Sequence, residues 1–339
     1  MNSRIQSFIE AAGWPRIIIG LFLVSLFVAA PFVGVRIDTS LSDTLVRVGM
    51  NGVMVLALVP MVQSGCGLNF GLPLGIIAGL VGAVTSIEMN VLGMMGFFVA
   101  LLISVPLAVL LGYGYGLLLN RVKGDEMMIA TYVGFSSVAV MCMAWLLLPY
   151  KSPTMIWGYG GSGLRTTISV EGFWLHILSD FLHVQIGKFF YFPTGMFLFF
   201  ALMCFLMWGF LHTKTGTAMT AVGSNPEFAR ASGINVDRMR IVSVVLSTVL
   251  GAVGILVYQQ SFGFIQLYMG PFYMAFPAVA AILLGGASVN KASMLNVVVG
   301  TFLFQGILTM TPSVINSLIQ TDMSEVIRII VSNGMILYA

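Results

Sequence analysis

Few side chains in this 339-residue sequence stand where they could do covalent chemistry. His176, His183 and His212 have no metal-ligand spacing. Cys66, Cys142 and Cys204 lie in apolar surroundings without a CxxC pair, so neither a disulfide frame nor a metal site is implied. Gly158-Tyr159-Gly160-Gly161-Ser162-Gly163 fits G-x-G-x-x-G, but no strand precedes it and no helix opens after it, so it reads as a flexible loop. No G-x-x-x-x-G-K-[ST] occurs, so the chain carries no P-loop for ATP hydrolysis. Glu325 and Arg328 sit one turn apart in an apolar run. They read either as a charge pair near a solute pathway or, the preferred reading, as a helix-stabilising pair at an interface. Glu88 and Arg47 read as interfacial anchors. No catalytic, cofactor-binding or metal residue is expected, and no enzyme.

The one polar interval with organised local chemistry is Gly223-Ser224-Asn225-Pro226-Glu227-Phe228-Ala229-Arg230-Ala231-Ser232-Gly233-Ile234-Asn235-Val236-Asp237-Arg238. Ser224 with Glu227 three residues on forms a capping box, and Pro226 stands where a first-turn proline loses no hydrogen bond. Gly233 stops the helix by taking the left-handed conformation. Asn235 caps the next helix, and Asp237 in its first turn faces the positive end of the dipole. The spacing thus predicts a helix of roughly two turns between two apolar spans, flanked by Lys214, Arg238 and Arg240.

Composition dictates what surrounds it. Hydrophobic residues make up 58% of the chain, charged residues 8%, and mean hydropathy is +1.00. A soluble domain carries about 25% charged residues, so this is an integral membrane protein with an all-α, polytopic fold. Ten spans are expected, at about 17–35, 44–63, 70–88, 91–119, 127–149, 190–211, 240–261, 272–288, 292–311 and 321–338. The first resembles a signal peptide, with Val28-Ala29-Ala30 suiting a cleavage site, but its apolar run favours an uncleaved span. The chain then forms a single membrane domain, 1–339, with a polar loop at 213–240 and an extramembrane segment at 150–189. In that segment Phe173–Leu182 has apolar residues at helical spacing and predicts an interfacial amphipathic helix with Trp174 at headgroup depth.

Basic residues orient the bundle. With the amino terminus inside, inner segments hold Arg4, Arg16, Arg121, Lys123, Lys214, Arg230, Arg238, Arg240 and Lys291. Outer ones hold Arg36, Arg47, Lys151, Arg165 and Lys188. Both termini and the capped helix then face the cytoplasm. A net charge of +3 spread over many loops does not point to nucleic acid. Gly65-Cys66-Gly67-Leu68-Asn69 matches Gly286-Ala287-Ser288-Val289-Asn290, and at the same offset Leu74 pairs with Leu295 and Gly79 with Gly300. Each copy is a small-residue break between apolar runs, the form in which transporters expose backbone to a cavity. Gly65, Gly67, Asn69, Gly286, Ser288 and Asn290 are therefore expected along a translocation pathway. The span count makes the copies parallel, but one misplaced span would invert them.

Ala221-Val222-Gly223-Ser224-Asn225-Pro226, with Ala229, Ala231-Ser232-Gly233-Ile234 and Val236-Asp237-Arg238, resembles the cytoplasmic loop of ABC importer permeases of the branched-chain amino acid and ribose type. The likeness continues through Ser247, Gly251, Gly254 and Gly285-Gly286-Ala287-Ser288; it covers roughly residues 40–339, most specifically 216–301. The resemblance implies a type II importer permease fold, in which Ser224, Asn225, Pro226, Glu227, Ala229, Arg230, Ala231, Ser232 and Gly233 form the coupling helix that docks on the ATP-binding subunits. It also implies a second permease subunit, identical or paralogous, a periplasmic or lipoprotein substrate-binding protein, no cofactor, and a place in the bacterial inner membrane. A monosaccharide leads among small polar solutes. Asp125-Glu126 is similar to the nucleoside-transporting members and puts nucleosides next, with riboflavin or branched-chain amino acids as alternatives. Gly67 and Asn69 depart from the sugar permeases' Gly-Gly-Ile-Asp-Leu-Ser pattern. An ion-coupled secondary transporter is the rival from another class, and it would need intramembrane carboxylates that the spans barely supply.

Overall fold

The computed structural model describes residues 13–156, 163–319 and 323–338; most of the glycine-rich run 158–163 and Arg4 lie outside them. Among the described residues seven helices are long and apolar enough to cross a membrane, and two shorter apolar helices accompany them. In chain order the helices are α1 (Trp14–Ala29, extended by a 3-10 turn Ala30–Val33), α2 (Ile37–Leu56) running on into α3 (Val59–Gln63), α4 (Pro73–Glu88), α5 (Gly93–Arg121) and α6 (Glu126–Leu147). After an irregular segment come α7 (Thr194–Leu211), α8 (Lys214–Ser224), α9 (Pro226–Ala231), α10 (Val236–Phe262), α11 (Gly270–Leu284), α12 (Met294–Ile319) and α13 (Ser324–Tyr338). The fold is all-α and polytopic, but the ten expected spans are only partly met: those at 70–88, 272–288 and 321–338 correspond to the shorter helices α4, α11 and α13, each of 16 residues or fewer. Four strands of three residues each, β1 (Thr167–Ser169), β2 (Val184–Ile186), β3 (Phe190–Phe192) and β4 (Phe264–Gln266), lie outside the helical bundle.

The helices run back and forth between two ends: the loop end, which carries α9, and the cap end, which carries residues 148–156 and 163–193. Helix α2 and its continuation α3 form the central rod: every residue from Gly52 to Val62 is buried. Pro60 in the first turn of α3 has no N–H to give the ladder, which accounts for the interruption after Leu56. Small residues let the other helices close on one another. A Cβ on Gly75 or Gly79 of α4 would overlap the Thr248 or Ala252 carbonyl of α10. Such close backbone approach supplies packing where lipid gives helices no hydrophobic reason to associate.

The cap is tied down at several points. The Glu88 carboxylate at the end of α4 accepts the N–H groups of Lys151 and Ser152, each at 3.0 Å, which makes it an anchor of a more specific kind than expected. Strand β1 pairs antiparallel with β4 through Ile168 and Ile265, and β2 with β3 through Gln185 and Tyr191. The Tyr191 hydroxyl donates to the Ser179 carbonyl, and burial together with the Asp180 carboxylate pushes its phenol up from the ordinary value.

Residues 173–182 correct the expected amphipathic helix. They form consecutive turns, with His176 and Leu182 in the left-handed region at φ 55° and 53°. Their polar backbone is taken up by tertiary partners: Gly93 donates to the Phe173 carbonyl, His176 to the Gln260 carbonyl, and Leu178 to the Gln260 side chain. Trp174 is fully buried against Phe97.

The internal repeat is structural and parallel. The offset that aligns Gly65 with Gly286 also aligns the helix ends Gln63 and Leu284, and the helix starts Pro73 and Met294. Both breaks close with the same pair of bonds: Gly65 N–H to Val62 and Cys66 N–H to Met61, then Gly286 N–H to Leu283 and Ala287 N–H to Ile282. Each glycine is left-handed, at φ 74° and 84°. These are glycine-stopped helix ends of one design, and both stand at the loop end.

Gly79→Val is expected to force α4 and α10 apart and cost at least about 1–3 kcal/mol. Gly114→Ala in α5, whose added methyl would meet nothing within 4 Å, is expected to keep or slightly raise stability. Thermal unfolding of the detergent-solubilised variants decides, and equal midpoints would refute the packing role.

Candidate functional site

Helix α9 is short, yet both of its ends are fastened. Asn225, with extended backbone, accepts the N–H groups of Glu227 (3.1 Å) and Phe228 (2.9 Å) through Oδ1. Pro226 takes the first helical position, as expected. Ser224 does not cap it: the preceding helix α8, capped by Thr213, runs on through Ser224, whose hydroxyl donates to the Thr220 carbonyl at 2.8 Å. The cap therefore falls one residue later than the capping box placed it. At the other end Gly233, at φ 81°, donates to Arg230 and Ile234 donates to Ala229, a complete glycine-stopped terminus. Asn235 then caps α10 by accepting the Arg238 N–H at 3.0 Å.

One residue seats the helix. Ala229 is fully buried between Val222 and Val236, with Ile234 and Met239 packed around them. Glu227, Phe228, Arg230, Ala231 and Ser232 point outward, and Phe228 keeps 67% of its surface exposed. A rigid two-ended helix thus presents an apolar knob among charges at the extreme of the loop end.

The segment leading into α9 touches the first break. Gly223 in the last turn of α8 lies against Gly65, whose added Cβ would come within 3.0 Å of the Gly223 Cα, and a Cβ on Gly223 would overlap the Gln63 carbonyl. Gln63, which sequence reasoning passed over, bridges both breaks: its amide donates to the Ala292 carbonyl at 2.6 Å and accepts the Thr220 hydroxyl at 3.2 Å. Arg16 at the start of α1 donates to the Gly286 carbonyl at 3.3 Å. These elements border a half-open cavity of about 940 Å³, lined among others by Gln63, Gly65, Thr220, Gly223, Gly286 and Asn290.

The expected pathway residues divide. Gly65, Gly286 and Asn290 border that cavity, and Gly67 lines a smaller one of about 370 Å³ beside Cys66, Glu126 and Val289. Ser288 is exposed in a tight turn closed by its bonds with Lys291. Asn69 is fully buried: its amide donates to Ser247 at 2.7 Å and accepts the Tyr115 hydroxyl at 3.2 Å. It bolts the break to α10 and α5, whereas its repeat partner Asn290 is exposed.

Arg240 is not a solvated loop flank. Its buried guanidinium pairs with Glu126, and Nε donates to the Cys66 sulfur at 3.3 Å. One turn earlier, Asp237 pairs with Lys123 at 2.6 Å and its carbonyl accepts the Asn120 amide at 2.8 Å. The first turn of α10, next to α9, is therefore bonded both to the α5–α6 hinge and to the first break.

Removing one partner of a well-buried pair strands the other charge. Glu126→Gln is expected to destabilise by about 2–4 kcal/mol, and the double change with Arg240→Met to recover part of the loss. Additive losses in a double-mutant cycle of thermal unfolding would show that the pair does not couple these elements.

Residues 40–336 match the family model described as branched-chain amino acid transport system / permease component. The chain is also similar to the nucleoside ABC transporter permease protein NupB of Lactococcus lactis subsp. cremoris (strain MG1363). Identity is 25% over 243 residues, which cover 67% of this chain and 61% of the relative's length. No solved structure matches. A family model that covers nearly the whole bundle, on a multi-pass helical membrane protein with parallel breaks, leaves one conclusion: the chain belongs to the family of permease components of branched-chain amino acid transport systems.

Proposed function

We propose that the chain is the membrane-spanning subunit of an ATP-binding-cassette importer and carries a small polar solute handed over by a substrate-binding protein. Its loop end and both termini face the cytoplasm. Two ATP-binding subunits sit below, and a second permease, a copy or a paralogue, stands beside it. The observation that carries this reading is α9: capped at both ends, seated by Ala229 and otherwise solvent-facing, it has the build of a lever for a partner protein.

In this reading the chain makes and breaks no covalent bond. Closure of the ATP-binding subunits pushes α9. The push passes through the Gly223–Gly65 contact into the first break, and through Arg240–Glu126 into α6. The cavity between the two breaks is then the inner mouth of the pathway. On the other side the exposed charges of the cap, Lys151, Lys188, Glu171 and Asp180, receive the binding protein. Rim charges of this kind chiefly set association rate and salt sensitivity.

A nucleoside is the leading solute, because a relative carrying that name aligns over most of the chain and the first break departs from the sugar-permease pattern. A monosaccharide comes second on the sequence likeness. The test is uptake of labelled uridine and labelled ribose into proteoliposomes holding the complete complex. Phe228→Ala and Ala231→Trp are expected to assemble yet lose at least about tenfold of ATP-driven uptake, equivalent to about 1.4 kcal/mol of coupling. Wild-type uptake by an assembled Ala231→Trp complex would overturn the lever. Ribose transported in preference to uridine would replace the solute.

A further inference from the structure

The apolar run of its span puts Arg47 at the membrane edge, in a first turn. Helix α2 instead begins at Ile37, with Asp38 in its first turn, so Arg47 lies about 15 Å along the axis from the cap end. It is half-buried, and its guanidinium has no hydrogen-bond or ion-pair partner among the described residues. A half-buried guanidinium whose N–H groups meet no direct partner is costly, and intramembrane arginines characteristically face a protein interior or a wet cavity.

The groups within electrostatic reach of Arg47 come from three helices: Arg328 of α13, Tyr258 of α10 and Asp43 one turn nearer the cap. Arg328 repels it and is itself held by Glu325 at 3.3 Å. Asn51, one turn deeper, is half-buried, and its amide donates to the Arg47 carbonyl at 2.9 Å, which leaves its oxygen free to accept. Asp43, Arg47 and Asn51 recur every fourth residue and so share one helix face. Along it exposure falls from Asp43, exposed, to Arg47 and Asn51, half-buried. The next residue on that face, Met54, is fully buried against Gly254, and nothing from Gly52 to Val62 is exposed. A polar strip about 12 Å long therefore starts about 9 Å below the cap end of α2 and stops on an apolar floor.

We infer that this strip, with Tyr258 at its side, is a solute-contact site on the cap side of the permease, built for a neutral solute rich in carbonyl and hydroxyl oxygens. The two arginines are matched by Asp43 and Glu325, so the surroundings balance without a charged ligand. The guanidinium offers several N–H donors, Asn51 an acceptor, and Tyr258 a hydroxyl and a ring face. Base carbonyls and ribose hydroxyls of a nucleoside present that chemistry. The inference rests on the importer reading above and assigns it a site.

The test uses the reconstituted complex with its ATP-binding subunits and binding protein. Uridine uptake is measured for Arg47→Gln, Arg47→Lys and, as a control outside the strip, Arg36→Gln. Arg47→Gln is expected to lower kcat/KM for uptake at least tenfold, Arg47→Lys to recover part of it, and Arg36→Gln to match wild type. A second measurement guards against misfolding. Asn51→Cys should react with a membrane-impermeant thiol reagent from the cap side, above the labelling of the parent protein, and be protected by the uridine-loaded binding protein. Uptake by Arg47→Gln equal to wild type, or Asn51→Cys inert in every state, overturns the site while leaving the importer standing. A wild-type complex that carries no solute overturns the importer reading, and the site falls with it. A complex that carries only an anionic solute, in an Arg47-dependent way, overturns the neutral-solute assignment.

Discussion

The contact between Gly223 and Gly65 constrains everything at the loop end. Two backbones meet there without room for a single added carbon on Gly223. A contact between main chains cannot be absorbed by a rotamer change, unlike one between side chains, so displacement of α8 must displace the first break. The surrounding bonds work toward the same end. Gln63 spans from α8 to the second break, Arg240 from α10 to α6, and Asn69 from the break to α10 and α5. Helix α9 is therefore fastened at both ends onto a stiff base.

The two breaks also show how a membrane protein keeps irregular backbone in apolar surroundings. A freed N–H in lipid costs several kcal/mol. Here each break returns its first N–H groups to its own helix through one left-handed glycine, then begins a new helix after the same interval. Beyond the glycine the two copies diverge. The first copy sinks Asn69 into a closed hydrogen-bond set, and the second turns Ser288, Val289 and Asn290 outward. One geometry serves both an anchored segment and a free one.

Much of this is legible in the sequence because membrane helices declare themselves by long apolar runs, and helix ends by a few residue types. Asn225, Pro226, Gly233 and Asn235 act as their chemistry dictates, Asn225 in the capping place assigned to Ser224. Helix α8 is hidden because Lys214, Thr215, Thr217 and Thr220 make its composition look like a loop; only Thr213 as a cap marks it. The turns at 173–182 escape because apolar spacing does not show where left-handed residues will fall, and Gln260, far away in sequence, supplies the partners that replace a helix. The depth of Arg47 is missed for a related reason: an apolar run marks the span, whereas the helix itself begins with polar residues at Asp38, Thr39 and Ser40.

The parallel breaks carry a consequence for descent. A segment copied along a chain regains its original polarity in the bilayer only if an even number of crossings separates the copies. From the first break to the second the chain makes an even number of crossings, through α4, α5, α6, α7, α10 and α11, since α8 and α9 stay outside the bundle. Loss or gain of one intervening span would leave the second break facing the opposite compartment, out of reach of Gln63 and Arg16. An architecture of this kind can therefore lose or gain helices between its two breaks only in pairs.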